Sequence, residues 1–155
     1  MKKYNIIFSD LDGTLINTIS GETFPKNIWD MKFRYEVLDK IKEIKPEYLF
    51  IVSNQGGIES GFISESDFST KIECICRTIR EYCHCICYAM YCVTNDKSDP
   101  CRKPNIGMFE YLTERYVGDA SGKEGQFSDS DKKTAENFGI DYMDVDDFVN
   151  TNWDD

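Results

Sequence analysis

Residues 6–15 read IIFSDLDGTL, so an apolar segment runs directly into two carboxylates that are separated by one residue. Two acids add nothing to a hydrophobic core, but they can form a site where a parallel strand reaches its carboxyl end. Because side chains alternate along an extended chain, Asp10 and Asp12 can project to the same side. Gly13 then permits a sharp turn. The pattern predicts a nucleophilic carboxylate beside a divalent cation.

The two carboxylates have complementary uses in phosphoryl transfer. One can attack phosphorus and form an aspartyl-phosphate, which divides a difficult reaction into two easier steps. The other can protonate the leaving oxygen and later accept a proton from water. Asp12-Gly13 alone would indicate an ordinary hairpin turn. The apolar strand before this pair and the hydroxyl of Thr14 after it favour the catalytic interpretation instead.

Three later segments extend the pattern in chain order. Residues 49–54, LFIVSN, form an apolar strand that ends in a hydroxyl and an amide. Residues 102–104, RKP, supply a lysine, and residues 117–119, VGD, together with Asp131 supply further carboxylates. Taken singly, these segments are typical of a strand end, a solvated loop lysine and a turn. Their joint order with residues 6–15 favours a phosphoryl-transfer site.

These four segments resemble the motifs of the haloacid dehalogenase (HAD) superfamily of phosphotransferases, and they cover most of the chain. Further segments are similar to the 3′-phosphatase domain of the polynucleotide kinase/phosphatase family. They are SGETFP at 20–25 with Trp29, SNQGGI at 53–58, RKPNIGMF at 102–109, GDASG at 118–122, FSDSD at 127–131 and NFGI at 137–140. The resemblance implies a magnesium-dependent hydrolase that removes 3′-phosphates from DNA ends in end processing and repair.

The resemblance also implies a role for each candidate catalytic residue. Asp10 would be the nucleophile, and Asp12 would be the general acid and then the general base. Ser53 and the backbone of Asn54 would donate hydrogen bonds to phosphate oxygens. Lys103 would neutralise charge on Asp10 and on the phosphate.

The metal implied by the resemblance is Mg²⁺. Its ligands would be an oxygen of Asp10, the main-chain carbonyl of Asp12 and the carboxylate of Asp119, with water completing an octahedron. Asp131 would orient the metal or its waters. At position 129 the family more often has a small or neutral residue, whereas this chain has an aspartate. Asp129 is therefore an alternative to Asp131 for this role.

Predicted strands alternate with predicted helices along the chain, which is typical of a parallel sheet with helices on both faces. The sequence therefore predicts one α/β domain over residues 1–155, a Rossmann-like three-layer fold of the HAD type with a minimal cap or none. A fourth strand is predicted to begin at Tyr116-Val117, and a last strand is predicted over residues 142–145. An irregular insert is expected over residues 17–31.

The net charge of −10 argues against a long nucleic-acid interface. Residues 141–155 carry six aspartates and no lysine or arginine, so subtracting them from −10 leaves −4 for residues 1–140. This acidic end is interpreted as a solvated edge. The charge distribution favours a ligand that is bound at one end, such as the 3′-phosphate end of DNA at a single strand, a nick or a gap.

Seven cysteines lie between positions 74 and 101, beside His84, the only histidine. A zinc site is one interpretation, but the C-x-C spacing does not match the usual ligand pattern. Reduced cysteines that pack as small hydrophobic residues explain the cluster better.

No apolar run reaches the ~20 residues of a membrane span. We expect a monomer inside the cell, nuclear or cytoplasmic and not secreted.

Two other functions remain open from the sequence. The first is a HAD phosphatase that acts on a small phosphorylated sugar or nucleotide, which the acidic charge favours. The second is a non-catalytic module that binds phosphate ends, which the presence of both Asp10 and Asp12 opposes. Phe24 and Trp29 in the insert could stack on a terminal base. Packing of these two side chains within the insert is the preferred interpretation.

Overall fold

The computed structural model describes residues 4–118, 124–127 and 132–153. Its main sheet has five parallel strands in the order β5-β4-β1-β6-β7. These strands are β1 (Ile6–Ser9), β4 (Tyr48–Asn54), β5 (Ile86–Cys92), β6 (Glu124–Phe127) and β7 (Asp141–Met143). The predicted α/β fold with a central parallel sheet is confirmed.

Helices cover both faces of this sheet. They are α1 (Tyr35–Ile44), α2 (Glu65–Cys83), α3 (Gly107–Leu112), α4 (Lys132–Phe138) and α5 (Val145–Asn150). Helices α1, α2 and α5 pack in one apolar cluster, and α3 packs in a second cluster with Phe138 of α4 at its margin. The arrangement is the predicted three-layer fold.

Strand β1 lies at the centre because all four of its residues are buried, as expected for a parallel strand covered on both faces. Its side chains alternate between the two clusters, with Ile7 on one face and Phe8 on the other. Phe8 stacks on Phe109 of α3 with ring centroids 4.6 Å apart. The chain continues from β1 to β4 on one side and later returns to β6 on the other. The carboxyl end of β1 is therefore the point where strand order reverses, which is where such sheets bind ligands.

Helix α2 begins directly after a capping serine, Ser64. The hydroxyl of Ser64 accepts a hydrogen bond from the backbone N–H of Asp67 at 3.1 Å, which caps the helix. Phe68, Ile72 and Ile75 then form the buried stripe against the sheet. The first turn also carries acidic side chains that suit the positive end of the helix dipole.

The insert is short and folds onto the edge of the sheet. Strands β2 (Ile16–Asn17) and β3 (Lys32–Phe33) pair antiparallel at its base, and residues 18–31 form the loop between them. Within the part of the chain that the structure describes, no separate cap domain is present, in agreement with the prediction.

The prediction of a strand at Tyr116-Val117 is wrong. Residues Thr113–Val117 continue α3 as a π-helical turn, and the strand beside β1 is β6. Tyr116 stays helical because its ring stacks on Tyr88 with centroids 3.9 Å apart, and its carbonyl accepts a hydrogen bond from Tyr48. These aromatic contacts outweigh the strand preference of tyrosine and valine.

The acidic end is not only a solvated edge. Val145 begins α5 instead of ending a strand, because the side chain of Asp144 accepts a hydrogen bond from the N–H of Asp146. Val145, Phe148 and Trp153 are buried against the sheet, while Asp146 and Asp147 are exposed. The segment is amphipathic, and its high acidic content makes the apolar stripe difficult to recognise in the sequence.

Most of the cysteines behave as small hydrophobic residues. Cys76, Cys83, Cys85, Cys87 and Cys92 are buried in the two apolar clusters, and the structure records all seven cysteines as free thiols. Burial raises the pKa of Cys83 to about 12, and that of Cys85 to about 11, which keeps both thiols protonated.

Of the residues the structure describes, none belongs to a helix both long and apolar enough to cross a membrane.

Candidate active site

The end of β1 delivers two acids to the carboxyl edge of the sheet. After Asp10 the chain turns tightly, with Leu11 buried and Gly13 at a φ of 77°. The N–H of Gly13 donates to the carbonyl of Ile16 at 2.8 Å, which closes the turn. A side chain at position 13 would be strained by this positive φ, so the glycine is required for the turn.

Arg34, at the start of α1, fixes the base of the insert to this turn. Its guanidinium donates to the carbonyl of Gly13 at 2.9 Å, and its backbone N–H donates to the carbonyl of Leu15 at 2.8 Å. The sequence does not predict this role, because arginines at helix starts are common on protein surfaces. The contact ties both ends of the insert to the acidic turn.

Lys103 reaches into the same edge and pairs with Asp10. Its Nζ lies 3.2 Å from Oδ1 of Asp10 and donates to the carbonyl of Val52 at 2.8 Å. The lysine side chain is 4% exposed and that of Asp10 is 19% exposed. Because solvent screening is weak at such burial, the charge of Lys103 acts strongly on any anion at Asp10.

Asn54 positions the lysine through its side chain. The N–H of Lys103 donates to Oδ1 of Asn54 at 3.0 Å, and Nδ2 of Asn54 donates to the carbonyl of Lys103 at 3.0 Å. This pair of hydrogen bonds ties the loop of residues 93–106 to the end of β4. The predicted contact between the backbone of Asn54 and phosphate is a separate role and stays a prediction.

Gln55 joins Asp12 to Ser53. Its Nε2 donates to Oδ2 of Asp12 at 2.9 Å and to the hydroxyl of Ser53 at 2.7 Å. Since one carboxylate oxygen of Asp12 is held in this way, the carboxyl group has a defined orientation. The sequence contains Gln55 within SNQGGI but assigns it no role. Its position directly after the strand that carries Ser53 is the signal that would have found it.

The structure thus brings the five candidate catalytic residues to one edge, in two linked groups. Asp10, Lys103 and Asn54 form the first, and Asp12 and Ser53 are joined in the second. The predicted metal residues Asp119 and Asp131, and the alternative Asp129, lie outside the described residues. Among residues 4–118, 124–127 and 132–153, no three His, Cys, Asp or Glu side chains are grouped to hold a metal.

The donors that the structure does describe suit a hard cation. Asp10 offers carboxylate oxygen at the strand end, and Asp12 supplies a second carboxylate two residues later. Oxygen donors of this kind are the ligands that Mg²⁺ prefers. Five of the cysteines, which could offer sulfur, are buried in the apolar clusters instead.

A cavity of about 400 Å³ opens beside Asp12, under the insert. The insert keeps its shape through Asp30, whose carboxylate accepts hydrogen bonds from the hydroxyl and N–H of Ser20 and from the N–H of Lys26. The hydroxyl of Ser20, followed by the two N–H groups, lowers the pKa of Asp30 to about 2. Asp30 therefore stays ionised and holds the wall of the cavity.

Asp30→Asn is expected to loosen the insert at neutral pH. In wild type the contribution of Asp30 to stability is complete above its ordinary pKa of about 3.9 and is lost as the pH falls through about 2. The variant lacks this contribution at every pH, so its melting temperature should fall less steeply between pH 4 and pH 2. Thermal denaturation of both proteins across that range measures the difference, and parallel curves would contradict the role of Asp30.

Exposed aromatic side chains flank the same edge. Phe24 of the insert is 73% exposed and Phe62 of the loop after β4 is 80% exposed, yet their rings stack with centroids 6.1 Å apart. Trp29 is also exposed. The preferred interpretation that Phe24 and Trp29 pack within the insert is therefore wrong, because the insert is too short to enclose them. The sequence does not single out Phe62.

The fold is shared with a solved phosphatase structure. The structure of D,D-heptose 1,7-bisphosphate phosphatase from B. bronchiseptica, solved in complex with magnesium and phosphate, matches with a TM-score of 0.71 at 20% identity. The match covers 89% of this chain and 78% of that one. The parallel sheet and its acidic edge define a HAD-like phosphatase fold.

The sequence comparison gives the family. The chain belongs to the polynucleotide kinase 3 phosphatase family, whose sequence model matches residues 5–149. The bifunctional polynucleotide phosphatase/kinase of Schizosaccharomyces pombe is 34% identical over 153 residues, which cover 90% of this chain and 36% of that protein. An uncharacterized 20.8 kDa protein of Autographa californica nuclear polyhedrosis virus is 30% identical over 96% of this chain and 87% of its own length. Membership supports assignment as a phosphoric monoester hydrolase.

The chain spans about a third of the length of the S. pombe relative and most of the length of the viral one. The resemblance to HAD superfamily phosphatases, and to the polynucleotide 3′-phosphatase domain in particular, is confirmed by the family match.

Proposed function

We propose that the protein is a magnesium-dependent polynucleotide 3′-phosphatase that removes the terminal phosphate from DNA ends through an aspartyl-phosphate. The observation that carries this proposal is the largely buried pair of Lys103 with Asp10. It lies at the point where strand order reverses, in a chain of a polynucleotide phosphatase family. A buried lysine beside a strand-end carboxylate is suited to accept a phosphate dianion and to offer a nucleophile at the same point.

In the first step Asp10 attacks the phosphorus of the 3′-phosphate. A bond forms between a carboxylate oxygen and phosphorus, the bond from phosphorus to the 3′-oxygen breaks, and the carboxylic acid of Asp12 gives its proton to that oxygen. The products of this step are a free 3′-hydroxyl and an aspartyl-phosphate. Gln55 holds Oδ2 of Asp12, so Oδ1 is the oxygen that carries the proton.

In the second step water attacks the phosphorus of the aspartyl-phosphate. The carboxylate of Asp12 now takes a proton from this water, the bond between Asp10 and phosphorus breaks, and inorganic phosphate leaves. Lys103, the hydroxyl of Ser53 and the backbone N–H of Asn54 stabilise the charge on the phosphate oxygens in both steps. The two hydrogen bonds between the side chain of Asn54 and the backbone of Lys103 keep the lysine in position while the charge develops.

Asp10, the main-chain carbonyl of Asp12 and Asp119 would hold the Mg²⁺ ion, with Asp131 or Asp129 orienting it. When bound, the ion supplies positive charge that offsets the phosphate and the nucleophilic carboxylate. The oxygen donors at the end of β1 support this assignment, since they suit a small hard cation.

A polymer end fits this site better than a small enclosed substrate. The insert leaves the edge open, and the Phe24–Phe62 pair presents aromatic faces beside it. Successive bases stack on such faces with little sequence preference. One domain over residues 1–155, a monomeric state and residence in the nucleus or cytoplasm are parts of the same proposal.

Phosphate release from matched oligonucleotides tests the proposal. A single-stranded oligonucleotide with a 3′-phosphate is expected to lose it in the presence of Mg²⁺, and the same sequence with a 5′-phosphate is expected to keep it. Release from both at equal rates would contradict the 3′ assignment. Binding of the 3′-phosphorylated strand without any release would show a non-catalytic phosphate-end-binding module instead.

A small phosphorylated sugar or nucleotide is the second candidate substrate. The net charge of −10 favours it, because a negative surface repels a polyanion. The structural neighbour that acts on a heptose bisphosphate has the same fold. Faster turnover of sugar phosphates than of the 3′-phosphorylated oligonucleotide would select this candidate.

Phe62→Ala is expected to weaken binding of a polynucleotide end without affecting the chemical step. Stacking of one base on an aromatic side chain is worth about 1–3 kcal/mol, which corresponds to a rise in KM of roughly 5- to 150-fold. The kcat should stay close to that of wild type, because Phe62 lies on the exposed rim. Steady-state kinetics on a 3′-phosphorylated oligonucleotide measure the split between the two constants.

Tyr111→Ala is the matched control, since Tyr111 is an exposed aromatic residue on α3. An oligonucleotide whose last nucleotide lacks its base provides a second control, because wild type and Phe62→Ala should then differ little. Equal KM values for wild type and Phe62→Ala on the normal oligonucleotide would contradict base stacking at this rim.

A further inference from the structure

Lys71 is a lysine on the buried face of α2. It lies among Phe68, Ile72 and Ile75, and only 3% of it is exposed. Lysine is almost never buried to this extent unless it is paired, because removing an ammonium from water costs free energy. Nevertheless, no described residue offers the ammonium of Lys71 a hydrogen bond or an ion pair. The ammonium itself is not enclosed, because Lys71 lines an open cavity beside Asp12. With no partner among the described residues, it is suited to receive an anion from outside the chain.

The side chain of Lys71 forms part of the wall of the cavity beside Asp12. The acidic turn and the insert supply the rest of the lining, which includes Gly13, Glu22 and Lys32. Asp30 lines the same cavity, but its carboxylate is already engaged by Ser20 and by the N–H of Lys26. Among the residues that the structure describes, none neutralises the charge of Lys71 in this cavity through a direct contact.

We propose that Lys71 binds a second anionic group of the substrate, next to the phosphate that is removed. In a polynucleotide this group is the phosphodiester on the 5′ side of the terminal nucleotide. In a sugar bisphosphate it is the other phosphate, which has the same chemistry. The inference rests on the proposed function, because the position of the cavity beside Asp12 matters only if Asp12 acts on a phosphate ester.

The subsite explains how an acidic protein can bind a polyanion. Lys103 serves the reacting phosphate, and Lys71 serves its neighbour, so two buried cations recognise two successive phosphates. A hydrogen bond between charged groups in a cavity is stronger than one at the surface. Long-range attraction by a basic face is then unnecessary, and recognition is limited to the end of the strand.

The test compares substrates that differ only in the second charge. They are thymidine 3′-monophosphate, which has one phosphate, the dithymidine 3′-phosphate with a normal internucleotide linkage, and the same dinucleotide with a neutral methylphosphonate linkage. Wild type is expected to show a KM for the normal dinucleotide roughly 10- to 100-fold lower than for the other two. This comparison requires no variant and so does not depend on the folding of one.

Lys71→Met tests the residue itself. Methionine fills the apolar surroundings of Lys71 without charge, so the variant should melt at or above the temperature of wild type. Its KM for the normal dinucleotide should rise to the value for the methylphosphonate, with kcat and the KM for thymidine 3′-monophosphate unchanged. Lys45→Met, which removes an exposed lysine before β4 at the opposite edge of the sheet, is the matched control.

Each outcome decides the matter. A Lys71→Met variant that loses activity equally on all three substrates, or that still distinguishes the two dinucleotides as wild type does, would overturn the subsite.

If wild type hydrolyses no 3′-phosphate, the proposed function fails, and the subsite is then tested by comparing fructose 1,6-bisphosphate with fructose 6-phosphate. Dissociation constants for these same pairs, measured with both proteins, provide a readout that does not require turnover. A loss of affinity confined to the doubly charged member supports the subsite, and an equal affinity for both members refutes it.

Discussion

Asp10→Asn is expected to lower kcat by at least about 10⁴-fold, the scale on which enzymes lose activity when a covalent nucleophile is removed. An amide oxygen is not nucleophilic enough to form the phosphorylated intermediate. The fold should persist, because the amide oxygen of asparagine can still accept the hydrogen bond that Lys103 donates at 3.2 Å. Binding of the 3′-phosphorylated strand should be retained, since the cationic groups around the site are unchanged.

Initial rates of phosphate release, together with thermal melting, measure this prediction. Asp147→Asn removes the same charge from an exposed position on α5 and should leave the rate unchanged. Trapping of labelled phosphate on wild-type protein but not on Asp10→Asn would identify the nucleophile directly. Turnover by the variant within tenfold of wild type would exclude the covalent mechanism.

The centre of the fold could be predicted because its physical causes are local. Strands β1 and β4 are continuous apolar runs, which is the pattern of parallel strands buried on both faces. Each run ends in polar residues, and parallel strands bring their carboxyl ends to one edge. The meeting of Asp10 and Ser53 at that edge therefore follows from the order of the strands, whereas the position of Lys103, on a loop, is implied only by the family resemblance.

Strand β6 could not be predicted, because it reads EGQF and has no apolar run. Its strand conformation is a consequence of pairing with β1, where Ile6 lies opposite Glu124. Tyr116 and Val117 have a higher strand preference, but packing of Tyr116 on Tyr88 keeps them helical. Local preference predicts poorly where partners distant in sequence decide the conformation.

The same limit applies to the site. Asn54 is hydrogen-bonded to Lys103, and Gln55 is hydrogen-bonded to Asp12. These contacts join residues on different loops, so no spacing in the chain reveals the contacts. Lys71 interrupts the apolar stripe of α2, but a sequence does not show whether a lysine on such a stripe extends to solvent or remains buried. Burial and the cavity decide this, and both are properties of the folded chain.

Lys103→Met is expected to lower kcat by roughly 10²- to 10³-fold, or about 2.7–4 kcal/mol of transition-state stabilisation. Two effects combine in this loss. The ammonium no longer offsets the charge of Asp10 and of the phosphate, and Asp10 loses the partner that fixes its Oδ1. Because the lysine side chain is only 4% exposed, water cannot easily replace either contact.

The control for Lys103→Met is Lys97→Met, an exposed lysine in the same loop, which should keep wild-type rates. Lys103→Arg separates charge from geometry. A guanidinium is planar and larger than an ammonium, so it does not match the almost fully buried position of Nζ between Asp10 and the carbonyl of Val52, and it should restore only part of the rate. Single-turnover rates at saturating substrate distinguish a defect in chemistry from one in binding. If kcat is unchanged in Lys103→Met while the melting temperature falls, Lys103 serves the structure of the loop and the electrostatic role proposed for it is wrong.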